Sequence, residues 1–202
     1  MVADALVFEP VGAQALRADR ARALRLAELS LSAQPLFYRL IALSRDAILD
    51  SVARQIADPA FDMAAAFVLR DGGDDEALVT DTDMAVLASA QMAALMAFLR
   101  LVPASAAREF QTRMRAYSAS IEPIGDTGRY VSRVAVAAGR QGQGLGRRLM
   151  SDYLSRIGAA KVHLHVHRDN AAAIALYRSS GFAPRSDAGY VFAAFTRAMT
   201  EL

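Results

Sequence analysis

The spacing of apolar and polar positions divides the chain into two differently patterned parts. Residues 2–11 read as a short strand closed by Pro10 and Gly12. Over 13–29, Leu16, Leu24, Leu26 and Leu29 stand among arginines and acids, which predicts an amphipathic helix. Pro35 opens a second helix, with Leu36, Leu40, Leu43, Ile48, Val52 and Ile56 near helical spacing and a stop at Asp58-Pro59. Two apolar runs, 63–69 and 77–80, flank Asp71-Gly72-Gly73-Asp74-Asp75, the composition of a hairpin turn. Helices are predicted over 84–101 and 106–118, separated by Pro103, and 122–128 has loop composition. The pattern changes at Arg129. A β-branched run at 130–136 precedes a helix carrying Leu145, Leu149, Tyr153 and Ile157. A strand at 162–166, a helix at 171–180 and a strand at 190–196 complete a β-α-β-α-β succession, a mixed α/β unit.

Composition narrows the chemistry. With 202 residues, 54% hydrophobic and 22% charged, the chain suits one globular domain, with or without an elaboration. The absence of cysteine excludes disulfides, thiolate metal sites and a cysteine nucleophile. The N-terminus lacks the basic and apolar regions of a signal peptide. The longest uncharged stretch, between Asp83 and Arg100, is 16 residues and rich in alanine, so a buried helix is expected there rather than a membrane span of about 20 residues. These features lead to the expectation of a soluble, cytoplasmic protein.

Charge is unevenly placed. Arginine and lysine minus acids come to +1 over residues 1–57, −5 over 58–125 and +6 over 126–202. A basic C-terminal segment suits a polyphosphate ligand. The acidic middle suits a cationic acceptor. The arginine-rich stretch 17–25 is interleaved with Asp19 and followed by Glu28, which points to a solvated helix face and no nucleic-acid partner. Asp71–Asp75 lacks the ligand spacing of a calcium loop and reads as a plain turn.

Gln141-Gly142-Gln143-Gly144-Leu145-Gly146 lies between a predicted strand and a predicted helix. Unpaired N–H groups at such a helix start, with the helix dipole behind them, favour a phosphate or pyrophosphate. Glycines let the backbone approach it closely. Arg140, Arg147 and Arg148 add nearby charge. A Walker loop would end in Gly-Lys-Ser/Thr, and a dinucleotide fold would space its glycines as G-x-G-x-x-G; neither is present.

Here the sequence resembles the GNAT superfamily of N-acetyltransferases. Its Arg/Gln-x-x-Gly-x-Gly/Ala signature is matched by Gln141, Gly144 and Gly146, after a strand Val134-Ala135-Val136. A second signature is matched by Asn170, Ala173, Leu176, Tyr177 and Gly181-Phe182. The resemblance covers about 129–197 and implies a GNAT-like mixed central β-sheet flanked by helices, with extra helices in the N-terminal half. It implies one domain over 1–202, in which 129–202 form the acetyl-CoA-binding core and 1–128 an acceptor-side elaboration. It implies that residues 142–146, with Gln141, Gln143 and Arg147 beside them, hold the CoA pyrophosphate. The Val134–Val136 edge would pair with the pantetheine arm, near Asn170 and Ala173.

Amide formation from a thioester needs a base for the amine and an acid for the departing thiolate. On spacing alone Tyr177 is a core aromatic; the resemblance implies that it is the acid. Ribosomal-protein acetyltransferases carry a glutamate twelve residues before this tyrosine, where this chain has His165, the candidate base. A backbone N–H near Val136 would meet the developing oxyanion. His163, His165 and His167 alternate and span about 13 Å on a strand, too far for all three to share one ion; two could, but no nearby acid pair completes a site, so no metal is expected. Asp152 and Arg156 are expected to pair on the helix surface. Arg133, if it faces the acceptor cleft, would favour an acceptor carboxylate. The activity implied is direct transfer of acetyl from acetyl-CoA to an amine; the alternative is an acyl-CoA-binding sensor without catalysis. The helices over 84–118 would lid the acceptor cleft or form a homodimer interface.

Overall fold

A computed structural model describes residues 6–198 except 59, 62, 64 and 159. Residues 2–5 of the expected first strand, Pro59 of the expected helix stop and Ala64 of the 63–69 run lie outside the described residues. Strands β1 (Val7–Val11), β2 (Ala65–Asp71), β3 (Asp74–Asp83), β4 (Arg129–Val136), β5 (Val162–His167), β6 (Ala183–Pro184) and β7 (Phe192–Arg197) form one sheet. Its order is β1-β2-β3-β4-β5-β7-β6. Neighbours are antiparallel except β4 and β5, which are parallel. Around the sheet stand helices α1 (Ala13–Ala18), α2 (Arg20–Ala33), α3 (Pro35–Arg39), α4 (Arg45–Ile56), α5 (Met84–Leu99), α6 (Ala104–Ala119), α7 (Leu145–Ile157) and α8 (Ala171–Ser179). This is the mixed α/β class that the pattern predicts and the sheet with extra N-terminal helices that the resemblance implies.

Two apolar cores lie on the two faces of the sheet. On one, Leu26 and Ala27 of α2, Val52 and Ile56 of α4 and Phe98 of α5 pack on Val68 and Leu78. On the other, Leu149, Met150 and Tyr153 of α7 pack on Leu69, Val79, Val131 and Leu164. Alternate strand residues feed opposite cores, as the two-residue period of a strand requires.

The helical half departs from its predicted boundaries for local reasons. The expected helix over 13–29 breaks at Asp19, whose non-helical backbone and carboxylate cap α2 by accepting the Arg22 N–H at 2.8 Å. The expected helix from Pro35 splits in the same way, Ser44 capping α4. The uncharged stretch forms α5 but is only partly buried. Ala90, Ala94 and Phe98 face the core, whereas Val86 and Met92 are 52% and 57% exposed. Among the described residues no helix is long and apolar enough to cross a membrane. The hairpin turn is as read, with Gly72 and Gly73 both at positive φ.

β3 is far longer than the 77–80 run because it carries buried acids that each have a distant partner. Asp75 accepts from Arg22 of α2 at 2.8 and 2.9 Å. Asp81, with no exposed surface, accepts from Arg129 Nε at 2.6 Å and from the Tyr153 hydroxyl at 2.8 Å. Burial, and then the Asp81 charge, push the Tyr153 pKa upward, so the hydroxyl stays protonated and donating.

The register of β3 against β4 slips between Thr80↔Arg133 and Asp81↔Val131, leaving Ser132 as an extra residue in β4. The Ser132 hydroxyl lies 2.9 Å from Thr80 Oγ1, and its carbonyl accepts the Gln34 side-chain N–H at 2.7 Å. Beyond this bulge β4 and β5 part company. Their parallel pairing covers only Arg129–Val131, while β5 stays paired with β7 along its whole length.

Removing the carboxylate under this sheet leaves a guanidinium and a phenol without their acceptor. Asp81→Ala is therefore expected to lower unfolding free energy by about 3 kcal/mol in urea titrations, against a fraction of that for Asp83→Ala at the strand end.

Candidate functional site

The parting of β4 and β5 opens a cleft whose second wall is α8. One end, a cavity of about 620 Å³, is lined by Val134, Ala135 and Val136 of β4, by the glycine turn and by Asn170, Ala173 and Tyr177. The other end, about 430 Å³, is lined by Tyr130, His165, Tyr117 and Phe192 among others. Val134, Asn170, Ala173 and Tyr177 line both cavities, so Tyr177 stands where they meet.

The glycine turn is shaped for close approach. Gly142 and Gly144 have φ of 77° and 82°, and Gly144 begins α7 with no side-chain cap. A Cβ built on either would meet nothing within 4 Å, so open space lies before both. Gly146 serves packing: a Cβ there would lie 3.4 Å from Leu176 and 3.7 Å from Val136, where α7, α8 and β4 converge. Gln141, Leu145 and Arg147 also line this cavity. Gln143 does not; it braces the loop by donating to the Gly139 carbonyl at 3.2 Å and accepting from Arg140 at 3.1 Å. Uncapped N–H groups, facing glycines and one unpaired arginine fit a polyphosphate.

The arginines expected beside this turn divide. Arg140 is held by Asp71 and Glu76, both at 2.9 Å, tying the turn to the β2–β3 hairpin. Arg148 pairs with Asp152 at 2.5 Å, which corrects the expected Asp152–Arg156 pair. Arg147 makes no ion pair among the described residues and faces the cavity.

Asn170 caps α8, its side-chain oxygen accepting the Ala173 N–H at 3.1 Å. The cap fixes the start of the helix that carries Tyr177. The Tyr177 ring is buried, yet its hydroxyl has no hydrogen-bond partner among the described residues. Burial raises its pKa well above the ordinary tyrosine value, so it holds its proton.

His165 lies across the cleft with both ring nitrogens engaged. Nε2 is 2.6 Å from the Glu122 carbonyl and Nδ1 is 2.8 Å from the Tyr130 hydroxyl. A carbonyl only accepts, so Nε2 carries the hydrogen and Nδ1 accepts from Tyr130. The loop expected at 122–128 thus acts as a brace. Glu122 is buried, and its carboxylate accepts from Ser186 at 2.6 Å and from the Ala194 N–H at 2.7 Å. Desolvation, partly offset by the Glu122 hydrogen bond, lowers the His165 pKa and keeps the ring neutral. His163 is fully buried between Thr196 and the Thr127 carbonyl, a structural role.

Arg133 does not face the cleft. It is buried behind the bulge and donates to the Tyr38 hydroxyl at 3.3 Å, so it offers an acceptor carboxylate nothing. The bulge at Ser132 shifts the alternation and turns this side chain toward the helical layer. The acidic middle segment likewise gives no negative cleft, since Asp71, Asp75, Glu76 and Asp81 are each bound to an arginine.

Residues 114–182 match the model of the acetyltransferase (GNAT) family. That match covers about a third of the chain. A mycothiol acetyltransferase of Renibacterium salmoninarum is 43% identical over 75 residues, 36% of this chain and 21% of that protein. The N-alpha-acetyltransferase RimI of Mycobacterium tuberculosis is 46% identical over 52 residues, 26% of this chain and 33% of that one. The matched segment thus spans a third or less of each of these relatives. A Corynebacterium glutamicum protein solved as "histone acetyltransferase HPA2 and related acetyltransferase" superposes with a TM-score of 0.63 at 16% identity, covering 98% of both chains. The ribosomal-protein-S18-alanine N-acetyltransferase of Escherichia coli gives 0.52 at 17% identity over 98% of this chain and 96% of that one. The segment matched to the family model includes the glycine turn and α8. Tyr130, Gln34, Tyr117 and Phe192 lie outside its signatures. Tyr130 alone had a signal in sequence, being a polar aromatic on the same strand as Val134.

Because the folded protein prefers neutral His165, the stability it contributes is present above the ordinary histidine pKa of about 6.5 and is lost as pH falls below it. Urea unfolding should show lower stability at pH 5.5 than at pH 7, with His165 and the similarly buried His163 both contributing. The difference should shrink in His165→Gln, and an unchanged pH slope in that variant would assign it to other groups.

Proposed function

We propose that the protein is an N-acetyltransferase that moves an acetyl group from acetyl-CoA directly to an amine. The observation that carries this reading is the single cleft in which the glycine turn, the free β4 edge and the Tyr177 hydroxyl lie together. When bound, acetyl-CoA supplies an acetyl group activated as a thioester. Residues 141–147 would hold its pyrophosphate, and the Val134–Val136 edge, freed from β5, has backbone groups for the pantetheine amides.

The chain's own groups supply the proton chemistry. A carbon–nitrogen bond forms as the carbon–sulfur bond breaks; the amine gives up a proton and the thiolate takes one. Tyr177, neutral and without a hydrogen-bond partner among the described residues, is the proton donor to sulfur. A backbone N–H near Val136 receives the charge that grows on the carbonyl oxygen. His165 is the base. Since its free lone pair is already on Tyr130, it takes the amine proton through that hydroxyl, which accepts from the amine while donating to Nδ1. With no cysteine in the chain, no thiol can carry the acetyl group between donor and acceptor. One domain serves both halves: 129–202 hold the cofactor, and 1–128 shape the acceptor end together with Tyr130, His165, His167 and Phe192.

Thiol release from acetyl-CoA with a panel of amines tests the activity. CoA binding without any release would favour the sensor reading instead. Tyr177→Phe is expected to lower kcat by about 100-fold or more with CoA affinity kept; unchanged turnover would remove it as the acid. Tyr130→Phe and His165→Gln should each flatten the acidic limb of the pH–rate profile, and an intact limb in either would break the relay.

A further inference from the structure

The acceptor end of the cleft has a composition of its own. Phe37 of α3, Tyr117 of α6, Phe192 of β7 and His167 of β5 form an unbroken row of rings along it. Successive centroids are 5.5, 5.1 and 5.3 Å apart, the last two pairs edge to face. Burial pushes the Tyr117 pKa up to about 12, so its ring stays uncharged. Tyr130, His165 and Tyr177 face the row from the side of the proposed chemistry.

Charge is nearly absent. Among the described lining residues there is no arginine or lysine, and the one carboxylate is Asp169, 82% exposed at the rim. A carboxylate carried into this end would lose its hydration and meet no cationic lining residue, since Arg133, whose charge reaches Tyr117, lies outside the lining and donates to Tyr38. A second ammonium would lose its hydration and meet no acid. A single ammonium can be drawn in by Asp169 and pass over ring faces, which attract cations. Its apolar skeleton then covers the row. The volume of about 430 Å³ lies at the small end of the 300–1,000 Å³ range of small-molecule sites.

We infer that the acceptor is a small monoamine on an aromatic or similarly sized apolar skeleton without a carboxylate, seated against the Phe37–Tyr117–Phe192–His167 row. This rests on reading the cleft as an acetyl-transfer site. The amine nitrogen would be presented to the Tyr130 hydroxyl, with the skeleton directed away from Tyr177.

The test is thiol release from acetyl-CoA by the full chain with 2-phenylethylamine, phenylalanine, spermidine and a tetrapeptide beginning with phenylalanine. The expected kcat/KM for 2-phenylethylamine is at least tenfold above the other three. Phe37→Ala should lower it tenfold or more, with CoA affinity by calorimetry unchanged, which separates loss of the row from loss of the fold. Preference for phenylalanine, spermidine or the peptide would overturn the inference and leave acetyl transfer standing. So would full activity of Phe37→Ala toward 2-phenylethylamine. CoA binding with no release from any amine would overturn both.

Discussion

The separation of β4 from β5 is the constraint on which the rest of the site depends. Two parallel strands in register would close the sheet and bury the backbone groups of Val134–Val136 in a ladder. One extra residue, Ser132, prevents that. A bulge leaves a backbone carbonyl that must find a partner, and here Gln34 supplies it from the end of α2. The sheet is therefore held open by a helix more than ninety residues away in sequence. An unpaired strand edge is ordinarily a liability; inside a cleft it is a template for an extended ligand.

The two ends of the opening are built on different physics. The end proposed for acetyl-CoA relies on backbone geometry, with left-handed glycines and an uncapped helix start, and on Arg147, which makes no ion pair among the described residues. The acceptor end relies on side chains from many elements. Ionic bonding connects them, since Arg140 anchors the glycine turn to the hairpin and Arg22 anchors the hairpin to α2. Most of these pairs are partly exposed and individually weak. Together they fix the turn to the sheet and neutralise Asp71, Asp75 and Glu76, and no acid of the middle segment lines either cavity among the described residues.

Legibility in the sequence follows the range of the interaction. The β-α-β-α-β half was readable because periodicity, the glycine turn and the Asn170 cap act within a few residues. Helix breaks at Asp19 and Ser44 were local too, but each looks like an ordinary polar position until the backbone is seen to turn there. The length of β3 was hidden because its charged residues interrupt alternation. Asp75 and Asp81 are tolerated only because Arg22, Arg129 and Tyr153 reach them. Arg133 stands on a face that local alternation does not predict for a related reason, since the bulge shifts the register.

By itself the sequence determined the mixed α/β class, the glycine turn ahead of α7 and the helix carrying Tyr177, since each is encoded by neighbours along the chain. Tertiary structure decided what surrounds them. It joined His165 to Tyr130, turned Arg133 away from the cleft and gathered Phe37, Tyr117, Phe192 and His167 into one wall. These are relations between strands and helices far apart in the chain, set by register and packing, and no local pattern carries register.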